Sequence, residues 1–267
     1  MKAIEIINLL NEWAPPYLID EWDNTGFQIG DSEKEIQRIL ISLDLDREVF
    51  EKAVEENVQM IITHHPIIFE PLKTLTRDNY KEKLIYDIIK KDMVVYNAHT
   101  NLDLAKNGVN DTLAKVLDIK DSKPLKIVYE GPLANKGKTF GYGRVGEIDE
   151  ISLYKYLDKV KKNLNVDNII IYGNTDRVIN KVAVCGGSGS SFIYDAYLKG
   201  AQLYITGDVK YHDAQYANEL GLTVADAGHY HTEKVILPVI KEYLEKKTQE
   251  MVEIQLYSRS SPPYAIY

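Results

Sequence analysis

The sequence predicts an α/β fold of two related lobes. Short apolar runs of strand length alternate with segments of helical periodicity, and part of the first half recurs in the second at a fixed spacing. Histidines and carboxylates gather where strands end, which marks where the function sits.

Ile4, Ile7 and Leu10, with Leu9 and Trp13, have helical spacing over residues 2–13, and Pro15-Pro16 end that helix. Glu21 to Gly30 is rich in turn formers; Asp23 and Asn24 within it read as an Asx-type turn, with support of a neighbouring ligand as the alternative. Ile39-Leu40-Ile41 is a buried strand, and 46–56 reads as a helix. Val58 to Thr63 is a second strand, running straight into His64-His65. Residues 81–91 are helical, Met93 to Tyr96 is a third strand, and 108–117 is helical again. Strand and helix in alternation predict a largely parallel sheet with helices over it.

The second half repeats the scheme. Strands are expected at Lys181–Cys185, Gln202–Thr206 and Leu222–Ala225, with helices at 191–199 and 211–220. A long helix over 232–247 follows, then the alternation of Val252, Ile254 and Leu256 in a last strand. Glu56 to Thr63 aligns with Lys199 to Thr206 without a gap, so that Thr63 falls on Thr206. The same constant offset carries Ser42 onto Cys185 and Ala53 onto Ala196. We read this as an internal duplication, with lobes at 1–118 and 181–267. Between them, 119–180 reads as a connector of Lys-rich turns, a glycine stretch from Gly141 to Gly146 and a helix near 151–164.

At 267 residues the chain can bury a sizeable core. A net charge of -8 argues against general nucleic-acid binding, which needs a basic surface. The single cysteine, Cys185, excludes an intrachain disulfide framework. Apolar runs are too short to span a bilayer, and the N-terminus does not read as a signal peptide, so a cytoplasmic protein is expected.

All six histidines lie in four polar clusters: His64-His65, His99 with Asp103, His212 beside Asp213, and His229 and His231 with Glu233. Imidazole with carboxylate is a ligand set for zinc, iron, manganese or nickel. In open α/β sheets ligands gather at the carboxyl ends of strands, where His64, His65, His99, Asp103, His229 and Glu233 all fall. Adjacent histidines in extended chain point to opposite sides, so two nearby ions could take one each. His229 and Glu233, spaced i, i+4, share one helix face. His212 and His231 are open between ligand support, substrate contact and plain structural roles.

These motifs together resemble the Nif-three-like family, also known as GTP cyclohydrolase 1 type 2 homologs. The matching stretches are Trp22-Asp23-Asn24-Thr25-Gly26, Ile62 to Pro66, Asn97 to Asp103, Gly141 to Gly146, Val182 to Ser191, Thr206-Gly207-Asp208, and Asp226 to His229 with Glu233. The resemblance implies a three-layer α/β fold with helices on both faces of mixed, mostly parallel sheets. It implies a dinuclear centre of two divalent metal ions held by His64, His65, Asp103, His229 and Glu233, with Glu233 as the bridge and His99 beside it. It also implies a ring-shaped homohexamer.

Two kinds of function are open. One is a metal-dependent hydrolase acting on a small molecule, with His99 or His212 moving protons. If the family label holds, the reaction opens the ring of a guanine nucleotide; a phosphoesterase would use the same centre. The other is a non-enzymatic metal-binding scaffold. Cys185 to Ser191, between a strand and a helix, is open between an anion nest and a turn that brings backbone close to a neighbour. Cys185 is expected to be buried rather than reactive.

Overall fold

The computed structural model describes residues 1–129, 139–257 and 264. From the N-terminus run helix α1 (Ala3–Trp13), strands β1 (Gly26–Ile29) and β2 (Arg38–Ser42), helix α2 (Arg47–Glu55), strand β3 (Met60–Thr63), helix α3 (Tyr80–Lys90), strand β4 (Val94–Asn97) and the short helix α4 (Thr100–Leu104). Next come α5 (Val109–Val116), β5 (Lys120–Tyr129), β6 (Phe140–Ser152), α6 (Leu153–Leu164), β7 (Ile170–Tyr172), β8 (Val178–Ser188) and α7 (Ile193–Leu198). The chain continues with β9 (Leu203–Gly207), α8 (Tyr211–Glu219), β10 (Thr223–Asp226), α9 (His229–Glu233), α10 (Leu237–Thr248) and β11 (Glu253–Leu256).

Local chemistry explains the helix starts. Asp46 accepts from the Val49 amide at 3.0 Å to cap α2, and Asn79 accepts from Lys81 and Glu82 at 2.8 and 3.2 Å to cap α3. The long helix expected over 232–247 is divided into α9, a single 3-10 turn and α10. Pro238 is the reason: it lacks an N–H, and its ring would clash with the carbonyl four residues back.

The chain forms two compact units. One holds Met1–Leu102 together with the run from Leu237; the other holds Asp103–Ile236. These limits differ from the expected lobes at 1–118 and 181–267. Strand β11 pairs in parallel with β2, Ile254 opposite Ile39, so the last helix and strand belong to the first unit. The stretch 119–180 is no connector, because it supplies β5, β6 and β7 to the second sheet. Residues of β5 are mostly exposed, which removes the apolar run a buried strand shows, and the glycines of β6 mimic a loop. Those glycines serve close pairing: a Cβ on Gly141 would lie 2.1 Å from the Lys126 carbonyl oxygen.

The first sheet has the order β1-β4-β3-β2-β11, with β1 antiparallel and the rest parallel. On one face Leu40, Ile61 and Val95 pack against Val49, Phe50 and Ala53 of α2 and Leu84, Ile85 and Ile88 of α3. The alternate residues Ile39, Ile41, Met60, Ile62 and Tyr96 are buried on the other face, where α10 contacts β2 and the Tyr96 hydroxyl donates to Asn11 of α1. The second sheet has the order β5-β6-β8-β9-β10-β7, parallel only across β8, β9 and β10. Val182, Leu203 and Ala225 face α5 and α6, whereas Ala183, Tyr204 and Val224 face α7 and α8. Each unit is thus a sheet between two helix layers, the three-layer α/β arrangement implied by the resemblance.

The duplication is visible in matched hydrogen bonds. Gln59 Oε1 accepts from the amides of Gln37 and Arg38 at 3.0 and 2.9 Å. At the equivalent position of the second unit, Gln202 Oε1 accepts from Asn180 and Lys181 at 2.8 and 3.1 Å. The Val58 amide donates to Ala53, and the Ala201 amide to Ala196. Strands β2, β3 and β4 correspond to β8, β9 and β10, with antiparallel β1 and β7 at matching edges. The units differ in loop length. The path from Met60 to Val94 is longer than the path from Leu203 to Thr223. The excess falls in the irregular stretch 66–79 that follows His65. Beyond it the spacing between equivalent positions is correspondingly smaller, so α4 (100–104) corresponds to α9 (229–233).

Candidate metal centre

In the first unit β3 ends at Thr63, and the chain turns through His64 and His65. His64 is fully buried, and its Nδ1 donates to the Ala98 carbonyl at 2.7 Å. A carbonyl can only accept, so Nδ1 carries the proton and Nε2 presents a lone pair. His65 Nδ1 lies 2.8 Å from Asp44 Oδ1, and His99 Nδ1 lies 2.9 Å from Asp23 Oδ1. Both carboxylates therefore select the same tautomer, with Nε2 as the donor atom. The ligand atoms of His64, His65 and His99 all lie within 4.8 Å of one another. Three histidines, each fixed through Nδ1, form a donor set that fits a transition-metal ion.

Asp23 is the anchor behind His99. Its side chain is completely covered. Burial raises its pKa, but hydrogen bonds from His99, Thr100 and Thr25 and the charge on His99 outweigh that and hold the carboxyl well below the usual range. Asn24 reaches instead to the Ile68 carbonyl at 2.5 Å. The local Asx turn is thus the weaker reading of this pair, because both side chains make bonds far along the chain.

In the second unit His229 and Glu233 occupy the first and last positions of α9. His229 Nε2 lies 3.0 Å from Glu233 Oε2, and Nδ1 lies 2.7 Å from Asp208 Oδ2. Both ring nitrogens of His229 thus face carboxylates. Asp208 follows Thr206 by the same two positions that separate His65 from Thr63, so the duplication makes Asp208 the equivalent of His65. Where one unit places a histidine, the other places the carboxylate that orients one. Asp103 lies in α4, and its carbonyl accepts from Asn110 at 3.1 Å.

The glycine-rich stretch that ends β8 resolves in favour of close approach. A Cβ on Gly187 would sit 2.0 Å from Glu233 Oε1 and 3.2 Å from His229 Nε2, and φ there is +65°. The amides that an anion nest would need are engaged: Gly186 donates to Asn110, Gly187 to Thr232 and Gly189 to Thr206. Cys185 is buried, and burial followed by the nearby Asp103 charge pushes its thiol up, away from reactivity.

The remaining two histidines separate. His231 is buried; desolvation and the Lys234 charge lower its pKa, and it bonds to the backbone of Leu164 and Asn165 at the end of α6. It caps the end of α6. His212 stands exposed in the first turn of α8, its ring edge-on to Tyr211 at 5.2 Å. Sequence reasoning missed Asp44 as an orienting carboxylate; its position just after β2 was the available signal.

The fold is an open α/β sheet arrangement whose strand ends carry histidines that could hold a metal ion. The family model of Duf34/NIF3 (NGG1p interacting factor 3) matches residues 1–263, and the chain belongs to that family. It is 36% identical over 265 residues to a Clostridium perfringens protein named GTP cyclohydrolase 1 type 2 homolog, covering 99% of each chain. A NIF3-related crystal structure from Bacillus cereus superposes with a TM-score of 0.94 at 28% identity, covering 100% of this chain and 99% of that one. Reduced HcgD from Methanocaldococcus jannaschii gives 0.80 at 36% identity, covering 96% and 97%. Among the described residues no helix is long and apolar enough to cross a membrane.

Proposed function

We propose that the protein is a metal-dependent hydrolase of small molecules, holding two divalent ions with His64, His65, Asp103, His229 and Glu233. The observation that carries this reading is the fixing of His64, His65 and His99 through Nδ1, with the ligand atoms of the three within 4.8 Å of one another. Zinc, iron and manganese all suit such ligands, and supply would choose among them. Bound divalent ions would acidify a water and polarise the group under attack.

The chain's own residues supply the rest. Asp44 and Asp23 orient the rings of His65 and His99 through Nδ1, and Asp208 lies against Nδ1 of His229. His99, backed by an ionised Asp23, is the residue placed to take or give a proton. His212, its ring edge-on to that of Tyr211, is the alternative base. The naming of the Clostridium perfringens relative supports a guanine nucleotide as substrate, opened by attack of water at C8. We further propose a homohexameric assembly in the cytoplasm, as the family resemblance implies; light scattering of the purified protein tests it.

The first test is elemental analysis of untagged protein beside His64→Ala and Glu233→Ala. The reading expects near two equivalents of transition metal per chain, lost in both variants. Metal-loaded protein is then assayed with GTP, cyclic nucleotides and generic phosphoesters. Turnover of phosphoesters alone would assign a phosphoesterase. Full metal occupancy with no turnover of any of them would leave a binding scaffold and refute the hydrolase.

A further inference from the structure

The turn from Trp22 to Thr25 does more than hold His99. Asp23 bonds to His99 and Thr100, while Asn24, the next residue, donates to the Ile68 carbonyl at 2.5 Å. Gln28 accepts from the Ile68 amide at 3.1 Å and donates to the Asn24 carbonyl at 2.7 Å. The peptide groups of Ile68 are therefore pinned on both sides to this turn. The residues flanking these clamps, Trp22 and Phe69, are both aromatic and both exposed, at 60% and 44%. Their ring centroids are 6.0 Å apart, and Trp22 stands edge-on to His99, also at 6.0 Å. Phe69 lies in the long stretch that the second unit lacks after β9.

Large aromatic side chains left in water on a rigid, hydrogen-bonded support cost free energy with no structural return. Trp13, the other tryptophan, instead packs on Tyr243 at 4.7 Å. Trp22, in contact with Phe69, adjoins the histidine that itself contacts His64 and His65 at centroid distances of 5.2 and 5.4 Å. An aromatic face beside a polar, cation-ready cluster matches a ligand that is flat and aromatic at one end and electron-rich at its edge.

We propose that Trp22, with Phe69, is the stacking platform for a planar heteroaromatic ring of the substrate, a purine base, presenting the ring's edge to the histidine cluster. This deepens and rests on the hydrolase reading, since it names what that site recognises. The second unit has no counterpart of the extra stretch carrying Phe69, so the platform is a feature of the first unit alone.

The test uses the intact, metal-loaded chain carrying Trp13→Phe, so that emission reports Trp22 alone. Titration with GMP should quench that emission saturably, whereas ribose 5-phosphate, which keeps the phosphate and sugar without the base, should not. Trp22→Ala should weaken GMP binding by about ten-fold in calorimetry, and Trp22→Phe should restore most of it, as stacking predicts. Metal content and circular dichroism are recorded on the same samples, and if Trp22→Ala fails to fold, the quenching pair and Trp22→Phe decide. Equal responses to GMP and ribose 5-phosphate, or unchanged GMP affinity in a folded Trp22→Ala, overturn the platform. So does emission that is blue-shifted without nucleotide and moves to the red on dilution, which would show a second copy of the chain covering Trp22. Turnover that ignores Trp22→Ala would sink the platform while the hydrolase stands. Nucleotide quenching without any turnover would sink the hydrolase while the platform stands.

Discussion

Glycine at 187 is dictated by what faces it. Its φ of +65° disfavours any side chain, and a Cβ there would meet Glu233 Oε1 at 2.0 Å unless Glu233 moved. Gly187→Ala should displace Glu233, lower bound metal and destabilise by about 1–3 kcal/mol. Gly221 is the control: φ is +71°, but nothing lies within 4 Å. Gly221→Ala should show only the backbone cost, about 1–2 kcal/mol, with metal retained. Equal metal content in the two variants would remove the steric argument. Asp23 makes a pH-dependent prediction. Its folded pKa is lowered, so its stabilisation is present above the ordinary carboxylate range and lost as pH falls through the folded value. Asp23→Asn should therefore lower the melting temperature at pH 7, with the gap to wild type shrinking below about pH 4. A gap constant from pH 7 to pH 3 would mean that Asp23 acts through packing alone. At this scale the candidate donor residues were legible, because histidine and carboxylate cluster along the chain. Their supports were not: Asp44 and His65, like Asp23 and His99, are far apart in sequence, and no local pattern links them.

Most strands and helices follow from local periodicity, since α2, α3, β3 and β9 fall close to their expected limits. The duplication was legible for the same reason, because equivalent positions solve equivalent local problems. Gln59 and Gln202 each take two backbone amides at the start of a parallel strand pair. Gln59→Leu and Gln202→Leu should each cost about 1 kcal/mol by urea unfolding, and the double variant should show the sum. A markedly unequal pair of costs would count against the two glutamines being equivalent. The illegible elements are those whose residues carry little burial signal. β5 is exposed and Lys-rich, and β6 is punctuated by glycines that serve close strand pairing rather than a turn. The break between α9 and α10 was legible in principle, since Pro238 is in plain view, but the apolar periodicity on either side obscured it.

For the whole molecule, a ligand held only by the native state adds to the free energy of unfolding. Exhaustive chelation should lower the melting temperature, and restoring metal to about a hundred times its dissociation constant should add about 2.7 kcal/mol. Identical melting before and after chelation of a protein shown to contain metal would contradict a native-state site. Fold class, the duplicated strand–helix units and the residue types of the candidate centre were legible in the sequence alone, because period, propensity and side-chain chemistry are local properties. Tertiary structure alone decided the partition of the chain, since β11 reads as a strand wherever it goes and only the open edge of β2 assigns it to the first unit. It also decided which ring nitrogen of His64, His65 and His99 is turned to a hydrogen-bond acceptor. That choice belongs to a group elsewhere in the chain: Ala98, Asp44 or Asp23.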